Sequence, residues 1–336
     1  MNLTSTVRPQ SKRPFRSRRS CLAVPGSSER MIAKSQTLDA DLVFMDLEDA
    51  VAANAKENAR SIVVDALRSG DWGSRTLVVR VNDCTTQWTL RDIERVITGA
   101  GDRIDAIMVP KVQFASQVHF VDHLITQLEI ERGLEIGRIG LELQIENAQG
   151  LVNVESIVSA SDRTEALILG PGDMSAALGM PTLTVGDLQP DYPGDHWHWV
   201  MMTLLVHARN AGIQVIDGPY GRIRDIDGFH ETATRSRALG FDGKWVLHPD
   251  QIASANEIFS VAQHTFERAS DILDAYAFAT DEAARGAVMF GDEMIDEASR
   301  KMAEANFARG RAQGLVVRAV GADVPFHERA AHRSGN

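Results

Sequence analysis

A chain of 336 residues with 44% hydrophobic and 24% charged side chains has the composition of a globular protein with a sizeable core, in one large domain or two medium ones. A formal net charge of −11 argues against general nucleic-acid binding, because phosphate attraction would work against the field of the whole protein. No apolar run approaches the roughly 20 residues that span a bilayer, and the two cysteines, Cys21 and Cys84, lack metal-ligand spacing and read as reduced thiols of a cytoplasmic enzyme.

Residues 1–19 carry Arg8, Lys12, Arg13, Arg16, Arg18 and Arg19 and no acid. An acid-poor, Arg- and Ser-containing end can be a targeting segment, but no apolar face repeats through it. A basic arm, disordered or docked on a neighbouring subunit, is the expectation. From there short apolar runs recur, each ending in polar or Gly/Pro residues: 21–26 (CLAVPG), 42–49 (LVFMDLED), 76–82 (TLVVRVN) and 106–112 (AIMVPKV). Four more follow at 140–147 (GLELQIEN), 166–173 (ALILGPGD), 213–220 (IQVIDGPY) and 243–249 (GKWVLHP). Most are too short for helices and suit buried parallel strands. The segments between them have helical period, as in 57–67 (ENARSIVVDAL) and 203–211 (TLLVHARNA). Eight strand–helix units in succession predict a (β/α)8 TIM barrel over 20–260. No GxGxxG follows the first strand to favour a doubly wound sheet.

Two stretches exceed a minimal barrel. Residues 181–199, rich in Pro, Asp, Trp and His, predict a long loop after the sixth strand. Residues 261–336 predict a helical extension acting as a lid or reaching another subunit, with a turn at 289–296 (MFGDEMID) and a final helix over 297–311.

The active site of such a barrel lies at the carboxyl ends of its strands. The residues there are unusually polar: Asp46, Glu48 and Asp49, Arg80, Lys111, Glu146, Asp173, Asp217 and His248. One acid at a strand end is ordinarily a helix cap, but several converging with an arginine are harder to explain by stability. Carboxylates with water suit Mg²⁺, with Mn²⁺ as an alternative. Glu146 and Asp173, ending adjacent strands, are the expected ligands, whereas Asp49 is expected to begin a helix or to support the outer shell. Arg80 would be costly to bury unpaired. Either it bridges to Asp46 or Glu48, or it aims a planar donor at a substrate oxygen. Lys111 is expected to pair with the acidic ring. His196 and His198, at i and i+2, share no helix face and lack a third ligand, so DHWHW reads as a loop and helix start, with Trp197 and Trp199 in the core.

The segments CLAVPGSSERMIAK, VFMDLEDAV, VRVN, IMVPKV, QIENAQG and LGPGDMSAALGM resemble the malyl-CoA lyase and citrate lyase beta-subunit (HpcH/HpaI aldolase) superfamily. DHWHW, DGPYG, GKWVLHPDQIASANEIF and GDEMID look most like its malyl-CoA/β-methylmalyl-CoA lyase branch. The resemblance covers nearly the whole chain from about Ser20 onward. It implies a homo-oligomer, trimer or hexamer, with Glu146 and Asp173 as Mg²⁺ ligands and Arg80 as the substrate-binding arginine. Lys34, Gly172 and Leu247 fall where the family binds its CoA thioester. Ser28 stands where malyl-CoA lyases can carry an arginine, and Arg30 is positioned to substitute. Asn147 departs from the small or hydroxylated residue usual after the metal-binding Glu. Asp296 matches an aspartate delivered to a neighbouring subunit's active site; without the resemblance it reads as a helix N-cap.

The reaction so implied is Mg²⁺-dependent cleavage of L-malyl-CoA or β-methylmalyl-CoA to acetyl-CoA or propionyl-CoA and glyoxylate. Mg²⁺ would lower the pKa of the malyl hydroxyl, Arg80 would stabilise a developing oxyanion and Asp296 would protonate the enolate carbon. Competing readings are a thioesterase or malate-synthase-like enzyme, a citramalyl-CoA lyase, and a silent CoA-thioester-binding regulatory barrel.

Overall fold

The computed structural model describes residues 13–334 except 190, 282–285 and 322. Residues 1–12 of the expected arm therefore lie outside the described residues. The chain divides into two compact units, one from Arg18 to Phe259 with residues 13 and 14, the other from Ser260 onward with 15–17.

The first unit is the predicted barrel. Its strands are β1 (Ser20–Pro25), β2 (Leu42–Asp46), β3 (Thr76–Arg80), β4 (Ala106–Val109), β5 (Gly140–Ile145), β6 (Thr164–Leu169), β7 (Gln214–Asp217) and β8 (Gly243–Val246). All neighbours pair in parallel, and β8 returns to β1 to close the sheet. Because strand side chains alternate, each strand splits into two sets. Leu42, Phe44, Val78, Ala106, Met108, Ile168, Ile216 and Trp245 form one cluster, which fills the barrel. Val43, Met45, Leu77, Val79, Ile107 and Leu143 belong to another, shared with helical residues such as Val63, Leu67, Ile93 and Val121. Each such aliphatic side chain removed from water contributes about 1.5–3 kcal/mol. The helices follow the same logic: in Lys56–Ser69 the buried Ala59, Val63 and Leu67 recur every four residues. Helix Ala115–Arg132 stops at Gly133, whose φ of 64° suits a residue without a Cβ.

The amino-terminal end of the barrel corrects one expectation. Arg18 is not part of a free arm; it is 1% exposed. Its Nε donates to Glu142 at 2.8 Å and Nη2 to Glu165 at 2.7 Å, and Nη1 donates to Gln214. Arg13 also binds Glu165, at 2.6 Å, and Arg19 binds Asp41 at 2.7 Å. Arg13 and Arg18 thus neutralise acids carried on β5 and β6, and Arg19 one just before β2, at the end of the barrel opposite the strand carboxyl termini.

In the second unit, helix Gln263–Asp281 and helix Glu297–Ala312 flank a hairpin of β9 (Val288–Phe290) and β10 (Glu293–Ile295). The expected simple turn at 289–296 is therefore this hairpin. Gly310 lets the helices approach, since a Cβ there would lie 2.3 Å from the Phe266 ring, which itself stacks on Phe307 at 4.9 Å. Among the described residues no helix is long and apolar enough to cross a membrane.

Arg18→Met should destabilise the barrel by about 3–5 kcal/mol, because it leaves Glu142 and Glu165 buried against a lost cation. Arg68→Met, removing a half-exposed pair with Asp102, should cost no more than about 1 kcal/mol. Denaturant unfolding of both variants checks this; equal losses would contradict the account.

Candidate active site

The inward sets of β2, β3 and β5 end in charged or amide side chains at the carboxyl mouth. Asp46 ends β2 and Arg80 ends β3, and the parallel register makes them direct partners. Asp46 is held by the backbone N–H groups of Glu48 at 2.8 Å and Ala50 at 3.1 Å. Its carboxylate receives Arg80 Nε at 2.8 Å and Nη2 at 2.7 Å, a two-point fork. The guanidinium also lies over the Trp245 ring at 5.2 Å. Burial opposes its charge, but Asp46, Glu48 and Glu146 outweigh burial and raise its pKa, so it stays cationic. The expected salt bridge is present. Nη1 is held more loosely: it donates to Gln144 Oε1 at 3.4 Å, a long bond, and lies 3.1 Å from Glu48 Oε2. The Glu48 oxygen is too poorly aligned to accept a hydrogen bond.

Glu146 follows β5 on the same inward set and is 1% exposed. Its Oε1 accepts from the Lys111 backbone N–H and its Oε2 from Gln144 Nε2, both at 2.7 Å. Burial, and then the charge of Asp173, push its pKa well above the usual carboxylate range. Asp173 and Gly172 lie in the first turn of helix Pro171–Leu178, with Asp173 exposed. Lys111 pairs with the acidic ring as expected, its ammonium donating to Glu48 and, at 3.1 Å, to Asp49. Burial raises the pKa of Glu48, and the bonds to Glu48 and Asp49 raise that of Lys111 despite its own burial. Of its two expected roles, Asp49 thus takes the supporting one, through Lys111.

Asp217 does not join this ring. It has the opposite parity to the inward Ile216, and it pairs with Lys244 of β8 at 2.6 Å. His248 lies instead on a groove of about 320 Å³ beside β1, lined also by Leu22, Val24, Arg30, Met31, Lys34 and Leu247. Arg30, Lys34 and Leu247 therefore come together, whereas Ser28 and Gly172 are not among the groove's lining. Ser28 caps helix Glu29–Ser35 by accepting from Met31 N. Asp296, in the second unit, caps helix Glu297–Ala312, accepting from Ala298 N at 2.9 Å and Ser299 N at 3.1 Å. The Ser299 bond leads the interactions that hold its pKa below the usual range. Helix His198–Asn210 does begin at DHWHW, and Trp197 is buried, but Trp199 is 67% exposed, contrary to expectation.

Residues 19–249 match the profile of the HpcH/HpaI aldolase/citrate lyase family. The chain belongs to that family. An L-malyl-CoA/beta-methylmalyl-CoA lyase of Rhodobacter capsulatus is 38% identical over 308 residues, covering 89% of this chain and 96% of the relative. A malyl-CoA/beta-methylmalyl-CoA/citramalyl-CoA lyase of Chloroflexus aurantiacus is 33% identical, with 79% of each chain covered. Among solved structures, protein CitE of Mycobacterium tuberculosis, in complex with magnesium, acetoacetate and coenzyme A, is 26% identical. It superposes with a TM-score of 0.66 over 87% of this chain and 97% of that one.

Within this HpcH/HpaI member, Asn147 has a local task. Its side chain caps helix Ala148–Val152, accepting from Gly150 N at 2.8 Å. Two site residues escaped the sequence reading. Gln144 touches both Glu146 and Arg80, and its position two residues before Glu146, on the same strand face, was the available signal. Trp245, beneath Arg80, shares the inward parity of β8 but carries no charge to draw attention.

Proposed function

We propose that this family member is a carbon–carbon lyase that reversibly cleaves L-malyl-CoA, β-methylmalyl-CoA or both to acetyl-CoA or propionyl-CoA and glyoxylate. The observation that carries the reading is that Arg80, with Nη1 only loosely held, and the buried acid Glu146 share one barrel mouth. An apolar groove with Arg30 and Lys34 on its wall suits a CoA thioester, with lysine and arginine for phosphates and Leu247 against the thioester arm. Similarity to malyl-CoA lyases along most of the chain supports the same substrate class. Both cysteines are free thiols, in keeping with the reducing cytoplasm in which we place the enzyme.

Glu146 and Asp173 are the residues that would hold Mg²⁺ or Mn²⁺. They fit a cation because Glu146 is buried beside a second carboxylate whose charge works against its own. A Cβ on Gly170 would lie 2.4 Å from Glu146 Oε2, so glycine keeps that carboxylate's space open. Among the described residues no group of three or more His, Cys, Asp or Glu forms a metal cluster. Two carboxylates suit an ion that retains several waters. When bound, the ion supplies Lewis acidity to substrate oxygen.

In the cleavage direction the malyl hydroxyl loses its proton to water, and the carbon that bears it becomes the aldehyde carbon of glyoxylate. The electrons of the breaking C–C bond pass to the thioester α-carbon. Arg80 Nη1 donates to the oxygen on which negative charge develops. Asp296 returns a proton to the α-carbon, from a tail contributed by a neighbouring subunit of a trimer or hexamer. Capping holds Asp296 in its ionised form, so proton donation requires the carboxylate to leave the cap or its surroundings to lose water.

Incubating acetyl-CoA or propionyl-CoA with glyoxylate and Mg²⁺ should yield a β-hydroxyacyl thioester without free thiol. Glu146→Gln and Asp173→Asn should lose at least about a hundredfold in turnover while remaining folded. Full activity after verified removal of metal by chelator would overturn the assignment, and stoichiometric free thiol would identify a synthase or thioesterase instead. For the shared site, Asp296→Asn and Glu146→Gln subunits, each inactive alone, should regain activity when exchanged into mixed oligomers. Verified mixed oligomers that stay inactive would return Asp296 to a helix cap and nothing more.

A further inference from the structure

Lys111 is, among the described residues, the one non-glycine with positive φ, at 53°. A side chain in the left-handed region is strained, and glycine would adopt the same backbone freely. Such strain persists where the surroundings over-determine it. Here they do. The next residue, Val112, donates to Gln144 O at 3.2 Å, and Gln113 O accepts from Asn153 Nδ2 at 2.8 Å. Val112 O also packs so closely that a Cβ on Gly150 would lie 2.2 Å from it.

This conformation aims two groups of one residue at different parts of the mouth. The backbone N–H reaches Glu146 Oε1 at 2.7 Å, while the ammonium reaches Glu48 and Asp49. Glu48 stands between two cations, with Oε1 on Lys111 and Oε2 3.1 Å from Arg80 Nη1 but out of line for a hydrogen bond. Asp46 already occupies Nε and Nη2 of Arg80. Nη1 gives one of its two hydrogens to Gln144 Oε1 at 3.4 Å, and the availability of the other depends on where the Glu48 carboxylate is held.

We infer that Lys111 is a positioning residue whose ammonium holds the Glu48 carboxylate out of line with Arg80 Nη1 and so keeps the second N–H of that nitrogen open for a substrate oxygen. The inference rests on the reading of Arg80 as the substrate-facing arginine. Without the ammonium, the carboxylate of Glu48, 4% exposed, keeps Arg80 as its ion-pair partner and turns onto it, Lys56 being taken up by the backbone oxygens of Leu47 and Glu48. The donor is then spent on a protein carboxylate. The backbone N–H to Glu146 survives any side-chain change at 111, so the two functions of the residue can be separated.

The test compares wild type, Lys111→Met, Glu48→Gln and the double variant. Lys111→Met should lower kcat by at least about tenfold, with Mn²⁺ affinity by calorimetry and thermal midpoint close to wild type. In the double variant the neutral amide no longer competes for Nη1, and kcat should return to within about threefold of Glu48→Gln alone. A crystal structure of Lys111→Met should show Glu48 hydrogen-bonded to Arg80 Nη1. Unchanged kcat in Lys111→Met would overturn the inference. So would a parallel fall in Mn²⁺ affinity, a double variant no better than Lys111→Met, or a Glu48 side chain turned to solvent. Absence of lyase activity in wild type would remove the proposed reaction, and the crystal structure would still decide where Glu48 goes.

Discussion

A charged arginine removed from water at the end of a barrel strand is the constraint around which the mouth is organised. Taking an ion out of water costs several kcal/mol, which is recovered only by close, well-aligned partners. Arg80, 7% exposed, has such a partner because parallel pairing of β2 with β3 sets Asp46 directly beside it. That one register also fixes what is left over. Two nitrogens are committed to Asp46, the ring of Trp245 lies against the guanidinium, and a single nitrogen faces Gln144 and Glu48. The same acids that stabilise Arg80 make a dense field of negative charge, and Lys111 divides it by binding Glu48 and Asp49.

The two ends of the barrel treat buried arginine differently. At the amino end Arg18 is saturated, with Glu142, Gln214 and Glu165 each taking a different nitrogen. At the carboxyl end Arg80 is gripped along one edge by Asp46 and held more loosely on the other, where Nη1 meets Gln144 at 3.4 Å. Glu142 and Glu146 stand on the same face of one strand and belong to these two environments: the first is neutralised, while the second keeps a raised pKa. This matches the division of a barrel into a stability face and a reactive face.

Much of this was legible because strands impose a period of two. Arg80, Glu146 and Asp46 could be placed at strand ends from the apolar runs alone, and the motifs around them carried the family. Parity misled only where it was not applied: Asp217 follows the inward Ile216, so it faces outward to Lys244. Arg18 was hidden for a different reason. A run of arginines without acids has the composition of a solvated arm, and its partners lie 124 to 196 residues away. The hairpin of β9 and β10 is too short to register as strands, with three residues each and a glycine at φ 63° between them. The left-handed turn at Lys111 left no trace, because lysine gives no hint of positive φ. It arises from tertiary packing against β5 and the helices that follow.

The central claim is that Arg80 acts on substrate through the geometry of its planar fork, beyond neutralising Asp46. Steady-state kinetics of Arg80→Lys in the acetyl-CoA and glyoxylate condensation test it most directly. The lysine keeps a positive charge for Asp46 but cannot bind it at two points and still present a donor at the Nη1 position. The account predicts that kcat falls by about tenfold to a hundredfold while the protein remains folded and KM for the thioester changes little. Kinetics within about twofold of wild type would contradict it, leaving Arg80 as a buried counterion.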